Sequence, residues 1–336
     1  MKNIAVFTVL VIIFISFLAD NSAYCLDSNK ERKYVFSFGT QFGFVYGQAF
    51  ELVYPTPGET KGELLSELRW DMKPVFYYGV KLDFNLANIM SRPGFFSSVS
   101  YKTGIPADSG VMEDRDWMSV ENRELTNFSS HTNKTGDFYW LDAVVGASVP
   151  VKNYFYIKPF LSGSWMRFSF TGRDGYLIYA REKTYNPITG NPETFYPIND
   201  KPDEGNLSGN VITYKQDWLL VAAGFSIGTK LLSPFSFELS FQISPLTYCA
   251  TMDEHLLRSI TFRDFTYMGL FLEPSGSFSF TLERIEFSLE FAYRHIGRTI
   301  GESYKKENDG DYLYSPNEAG AGLSLSDLRF IVKLKF

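Results

Sequence analysis

Between positions 34 and 46 the chain alternates without a break. Tyr34, Phe36, Phe38, Thr40, Phe42, Phe44 and Tyr46 take the even positions, and Val35, Ser37, Gly39, Gln41, Gly43 and Val45 the odd ones. Successive side chains of an extended strand point to opposite faces, so this period of two makes one face aromatic and the other small or polar. The pattern recurs from 76 to 86, where Phe, Tyr, Val, Leu, Phe and Leu alternate with Tyr77, Gly79, Lys81, Asp83 and Asn85. It recurs again from 235 to 243, with Phe, Phe, Leu, Phe and Ile set against Ser236, Glu238, Ser240 and Gln242. Its phase changes across Glu283-Arg284, where Phe278, Phe280 and Leu282 give way to Ile285, Phe287, Leu289, Phe291 and Tyr293. A two-residue hairpin accounts for that change. Ten such runs are present, at roughly 34–54, 64–86, 95–104, 137–149, 154–170, 211–231, 235–249, 260–282, 285–299 and 321–336.

A soluble β-sandwich also buries one face of each sheet. Two features oppose it. The apolar face is aromatic along its whole length, 17% of all residues being aromatic with 32 Phe and 21 Tyr, although mean hydropathy is slightly polar. The last run places Leu328, Phe330, Val332, Leu334 and a terminal Phe336 against Asp327, Arg329, Lys333 and Lys335, as outer-membrane barrels commonly do. An even number of strands with outward aromatic faces fits a closed barrel, which satisfies every backbone hydrogen bond in lipid and leaves no edge. The expected fold is all-β: one ten-stranded antiparallel transmembrane β-barrel. Short turns are expected at 150–153, 231–234 and 283–284, and long extracellular loops at 55–63, 105–136, 171–210, 250–259 and 300–320.

The first residues carry Lys2 and an apolar run from Ile4 to Ala19, followed by small and polar residues. That run falls short of the ~20 residues a spanning helix needs, so 1–25 is expected to be a secretory signal and 26–336 the mature barrel. Only Cys25 and Cys249 occur, which excludes a disulfide framework. The formal charge of -6 argues against nucleic acid as a partner and is compatible with cationic substrates.

Asp253-Glu254-His255 sets a carboxylate two residues before an imidazole, so on extended backbone both point to one side. Asp253 can then hold one ring nitrogen while the other takes a proton from water. Asp114 and Asp116, in "VMEDRDWM", share that spacing and can bind a cation, share a proton or steady a water. In a ten-stranded ring the loop joining strands three and four faces the loop joining strands seven and eight. Register presents a difficulty, because strand seven points its odd residues to lipid and both Asp253 and His255 are odd. Pro245, which lacks an amide donor, marks a bulge that reverses the phase somewhere between 244 and 252. Gly224-Phe225-Ser226-Ile227-Gly228 matches G-x-S-x-G but continues a membrane strand where that motif needs a strand-to-helix elbow, so Ser226 is read as lumen lining. No zinc signature is present. His131, in the same expected loop as the acidic pair, reads as a solvated loop residue with groove lining as the alternative, and His295 as structural or exposed.

The segments "DRDWM" and "DEH", with "SELRWDMKP" at 66–74, "RFSFTGRDGYLIY" at 167–179, "ITYKQ" at 212–216, "SITFR" at 259–263 and "GAGL" at 320–323, together resemble the omptin family of outer-membrane proteases. The resemblance extends in order over essentially the whole mature chain. It implies a bacterial outer-membrane endopeptidase with its active site facing the cell exterior. Asp253 and His255 would activate a water, Asp114 and Asp116 would position it from the opposite wall, and no acyl-enzyme would form. It implies cleavage beside basic residues, with Glu51 contributing to recognition; inward-facing odd positions in the first strand agree with that. Where the family commonly has a second acidic residue, two before the dyad Asp, this chain has Thr251. The family's lipopolysaccharide requirement carries over at Arg167, whereas Asp217 stands where an Arg is usual. No other cofactor is implied; the implied partners are basic peptides or proteins and outer-membrane lipid. Two non-enzymatic alternatives remain: an inactive barrel of this shape serving as a surface adhesin, and a small channel.

Overall fold

A computed structural model of the chain describes residues 34–56, 59–60, 62–86, 93–152, 155–232 and 234–336. The expected signal segment, with Cys25, lies outside them. The strands are β1 (Tyr34–Val53), β2 (Ser66–Leu86), β3 (Gly94–Gly104), β4 (Ala107–Asp116), β5 (Asn127–Lys152), β6 (Phe155–Tyr179), β7 (Glu182–Tyr185), β8 (Pro192–Phe195), β9 (Asp203–Leu232), β10 (Phe235–Ser244), β11 (Thr247–His255), β12 (Ile260–Tyr267), β13 (Phe271–Leu282), β14 (Ile285–Ile296), β15 (Ile300–Glu307) and β16 (Leu313–Lys335).

Four pairs, β3 with β4, β10 with β11, β12 with β13 and β14 with β15, are collinear halves of single staves. The barrel therefore has ten staves, all antiparallel to their neighbours, and the small β7–β8 hairpin stands apart. Closure comes from β1, which pairs with β16 from Ser37↔Lys335 to Val53↔Ala319 and with β2 along its other edge. Neither terminal stave is left with a free edge, the condition for placing a sheet in lipid.

The aromatic face points outward. Phe42 is 59% exposed and Leu239 71%, and Phe76, Leu161, Leu219 and Phe291 continue the apolar belt around the ring. An uninterrupted belt of this kind is what a lipid-facing barrel carries and far exceeds the patches a soluble monomer exposes.

Inside the belt the lumen is filled by side chains that cross it. Gly43 is small because Tyr77 passes there: a Cβ at Gly43 would lie 2.6 Å from the Tyr77 hydroxyl oxygen. That hydroxyl donates to Asp327, which also accepts from Lys102 Nζ at 2.9 Å and Arg329 Nη1 at 2.8 Å. Lys102 lies 3.7 Å from the centre of a Trp140 ring and is fully buried. Arg294 crosses similarly to Glu273 and Asp142. A cavity of about 620 Å³ opens at the end where β1 begins, lined by paired charges including Lys81, Asp83, Glu290 and Lys333. The candidate catalytic residues lie at the other end.

The strands run further than the aromatic alternation suggests. The segments expected as loops at 105–136, 171–210, 250–259 and 300–320 contain β4 and the start of β5, the end of β6 with β7, β8 and the start of β9, most of β11, and β15 with the start of β16. Above the belt the ladder continues, but outward positions face water and carry residues such as Arg115, Lys134 and Lys215, so the hydrophobic signal fades while the pairing persists. The expected turn at 283–284 is present.

Asp327→Ala would leave Lys102 buried without its partner and should destabilise the refolded barrel by about 3–5 kcal/mol in denaturant unfolding. The Lys102→Met/Asp327→Leu double variant should recover most of that loss. Equal losses in both variants would show that the ion pair is not what the lumen depends on.

Candidate active site

The site depends on a slip in one stave. β10 pairs with β9 through Ile243↔Ala223, whereas β11 pairs through Thr247↔Leu220, so one strand advances four residues while the other advances three. The extra residue lies at Pro245-Leu246, both exposed, where Ser244 takes over local hydrogen bonding by accepting from the Leu246 amide at 2.8 Å. Odd residues face lipid before the slip and the interior after it. Thr247, Cys249, Thr251 and Asp253 are all buried. The neighbouring staves break beside it, with Met268 N donating to Thr247 O at 3.0 Å and Gly297 N to Leu270 O at 2.9 Å.

Asp253 and His255 consequently share the inner face of β11. Asp253 is 1% exposed, and its Oδ2 lies 2.7 Å from His255 Nε2 as an ion-pair contact; neither carboxylate oxygen accepts a well-aligned hydrogen bond. The other ring nitrogen, Nδ1, meets Arg258 Nη2 from the 256–259 turn. A guanidinium can only donate, so Nδ1 carries the lone pair and the ring proton sits on Nε2, facing Asp253.

The opposite wall is β4, which is strand where a loop is expected. Asp114 and Asp116 point inward between β2 and β5, with Asp116 directly opposite Ser66 on one side and Asn127 on the other. Ser66 Oγ donates to Asp114 Oδ1 at 3.2 Å, and Asn127 Nδ2 to Asp116 Oδ2 at 3.2 Å. Both residues are partly exposed, yet their carboxyls are walled in by protein. Burial first, and then the neighbouring Asp116 charge, push the Asp114 carboxyl well above its ordinary range. Burial also raises Asp116, against the pull of its hydrogen bonds. Asp114 is therefore the member of the pair that holds a proton more tightly. The two walls face one another electrostatically: the Asp253 charge is felt at Asp114, and that of Arg258 at both Asp114 and Asp116.

Glu51 lies in a cross-strand row with Leu68 and Asp114, points inward as its odd position in β1 requires, and is 5% exposed. Burial raises its carboxyl well above the ordinary range, and the charges of Asp253, Asp264 and Asp114 raise it further. Asp264, on β12, was not among the residues expected here. It is the direct partner of Thr251, whose Oγ1 donates to Asp264 Oδ2 at 3.1 Å, and it is 6% exposed. Burial pushes its carboxyl up to about 6 against hydrogen bonds from Ser303 and Thr251. Carrying the hairpin register across 256–259 would have set Asp264 opposite Thr251; the same exercise on β2 and β5 finds Ser66 and Asn127.

The floor of the cleft is aromatic. Trp70 stacks on Tyr214 at 5.4 Å and on Phe170 at 5.6 Å, and Gln216 Nε2 donates across to Phe50 O at 2.9 Å. This floor separates the carboxyls from the ion-paired lumen and accounts for their burial. His131, expected as a solvated loop residue, is 3% exposed on β5 and bonded to Ser129 Oγ and the Asp174 carbonyl, because its loop is strand. His295 stacks on Tyr293. Ser226 is buried, 3.3 Å from Ser240 Oγ on the lumen side of β9. Arg167, outside the cleft, makes a two-pronged pair with its cross-strand partner Asp217, at 2.6 and 3.1 Å. Among the described residues no group of three or more His, Cys, Asp or Glu side chains is disposed to hold a metal ion.

The chain resembles the plasminogen activator of Yersinia pestis, 26% identical over 237 residues, a match spanning 69% of this chain and 66% of the relative, just under two thirds of its length. Its fold matches that of the outer membrane protease OmpT from Escherichia coli with a TM-score of 0.76 at 18% identity, covering 92% of this chain and 99% of the other. The sequence pattern of the Omptin family matches residues 32–336. The chain belongs to the omptin family.

Proposed function

We propose that the protein is an outer-membrane endopeptidase that hydrolyses peptide bonds beside basic residues by direct attack of water. The observation that carries this reading is the Asp253–His255 pair, 2.7 Å apart, on a wall whose charge reaches the Asp114–Asp116 pair opposite. Asp253 orients the imidazole through Nε2 and steadies the positive charge it acquires. A water takes the place of Arg258 at Nδ1, held from the other side by Asp114 and Asp116. As the water oxygen bonds to the scissile carbonyl carbon, His255 takes its proton at Nδ1. The imidazolium returns that proton to the leaving amine as the C–N bond breaks, so the base is regenerated and no covalent enzyme intermediate forms. Burial and the neighbouring charge favour a proton held on the Asp114–Asp116 pair, which would make one of them a donor.

Glu51, buried and negatively surrounded, favours a cationic side chain in the cleft. Residues 1–25 direct export and are removed, the 26–336 barrel sits in the bacterial outer membrane, and the cleft opens to the exterior. Lipopolysaccharide phosphate contacts the protein at Arg167 in competition with Asp217, which already occupies that guanidinium. The reaction itself is proposed to need no dissociable cofactor.

Purified protein assayed on a fluorogenic dibasic peptide, with and without added lipopolysaccharide, tests the reading. His255→Ala and Asp116→Ala should each remain a folded, heat-modifiable barrel while kcat falls by about 10²–10⁴. Undiminished turnover in both would remove the mechanism, whereas a folded parent that cleaves nothing would leave the adhesin.

The raised carboxyls oppose folding, and the sign can be worked out at Asp264. Its folded pKa of about 6 exceeds the ordinary 3.8, so folding takes up a proton between those values. Stability therefore falls as pH rises through that window, and the penalty is complete above it. Asp264→Asn should raise unfolding stability on the order of 2–3 kcal/mol at pH 8 and have little effect at pH 4. A variant less stable than the parent at pH 8 would show that burial there is compensated.

A further inference from the structure

Three groups hold the His255 ring. Asp253 Oδ2 stands 2.7 Å from Nε2, and Phe262 on β12 meets the ring edge-on with centres 5.7 Å apart. Phe262 is also the cross-strand partner of Asp253, so both contacts belong to the β11–β12 ladder itself. The third contact, from Arg258 Nη2 to Nδ1, comes from the turn beyond the ladder. Nδ1 has one lone pair, so while the guanidinium donates to it no proton from water can be accepted there. Capping by Arg258 and general-base action by His255 exclude one another.

The turn that carries Arg258 is fastened by its backbone. Leu256 N donates to Val211 O at 3.0 Å, Arg258 N to His255 O at 3.1 Å, and Ser259 O accepts from Asn308 N at 2.8 Å. Arg258 itself is exposed, so its side chain can leave by a rotamer change that needs no movement of the turn. The opposite wall draws it inward. Its charge favours the ionised forms of Asp114 and Asp116 and is felt also at Tyr179, at the end of β6. The guanidinium therefore extends from the imidazole toward the acidic pair, across the position assigned above to the attacking water.

We propose that Arg258 is a self-inhibitory cap: in the resting protein its guanidinium occupies the water position between His255 and the Asp114–Asp116 pair, and hydrolysis begins when the side chain swings out to solvent. The inhibitory role rests on the proteolytic reading above; the cap itself is read without any peptide.

Diethyl pyrocarbonate acylates an unprotonated imidazole nitrogen, and mass mapping of the digested protein separates His255 from His131 and His295. In the refolded full-length barrel, Arg258→Gln should speed the labelling of His255 by roughly 3- to 30-fold, a charged hydrogen bond discounted for exposure, and leave the other two histidines at the parent rate. The same variant should lower KM for a fluorogenic dibasic peptide by a similar factor with kcat retained, because substrate that binds only the uncapped state has its KM scaled by the uncapped fraction. Leu257→Arg/Arg258→Gln keeps the charge of the turn while removing it from position 258, and should match Arg258→Gln in both readouts. Unchanged labelling of His255 in Arg258→Gln would remove the cap. A double variant that returns to the parent values would show that the charge of the turn acts, and not the contact with Nδ1. Faster labelling with an unchanged KM, or with kcat lost, would deny Arg258 any inhibitory part. If the parent cleaves nothing, the proteolytic reading fails and the inhibitory role with it, and the labelling distinguishes that failure from a missing cap.

Discussion

Backbone pairing around a closed ring is the constraint on which everything else in this molecule depends. Lipid offers no donors or acceptors, so every amide in the belt must find its partner in a neighbouring stave, and β1 must find β16. A ring so constrained resists local change, since shifting one strand by a residue turns all its side chains over. The chain uses that sensitivity at Pro245-Leu246. One additional residue in one stave leaves the lower half aromatic toward lipid and turns the upper half inward, carrying Asp253 and His255 into the cleft.

The two halves of the interior treat charge differently. Below the aromatic floor, Lys102, Arg294 and Arg329 each meet carboxylates at hydrogen-bonding distance. Above the floor the acids outnumber their partners, and Glu51, Asp253 and Asp264 retain oxygens with no donor. Fully satisfied polar networks rigidify a fold; partly satisfied ones mark places held in readiness for a ligand or a reaction. Asp264 illustrates the cost, because the burial that raises its carboxyl opposes folding.

Much of this was legible in the sequence, for reasons that differ by residue. Periodicity two and outward aromatics gave ten staves, and the parity conflict at Asp253 and His255 called for a phase reversal that the structure has at Pro245-Leu246. Glu51 came from the family resemblance, and parity in the first strand agreed with its inward position. The upper strands were missed because hydrophobic alternation records contact with lipid and not pairing, so β4 and the start of β5 read as loop and His131 as solvated. Asp264, Ser66 and Asn127 were missed for another reason: each acts through a cross-strand partner, and such partners become visible only when register is carried through the turns. The pairing of Arg167 with Asp217 belongs to the same class, since the two lie 50 positions apart in sequence and directly opposite in the sheet.

In the proposed chemistry two walls act on one water. A double-mutant cycle on kcat, with Asp116→Asn, His255→Ala and both together in folded protein, examines that joint action most directly. Groups that work as a unit are strongly non-additive, so the double variant should be little slower than the slower single one. Rate losses that multiply independently would mean that the acidic wall and the imidazole do not share a task.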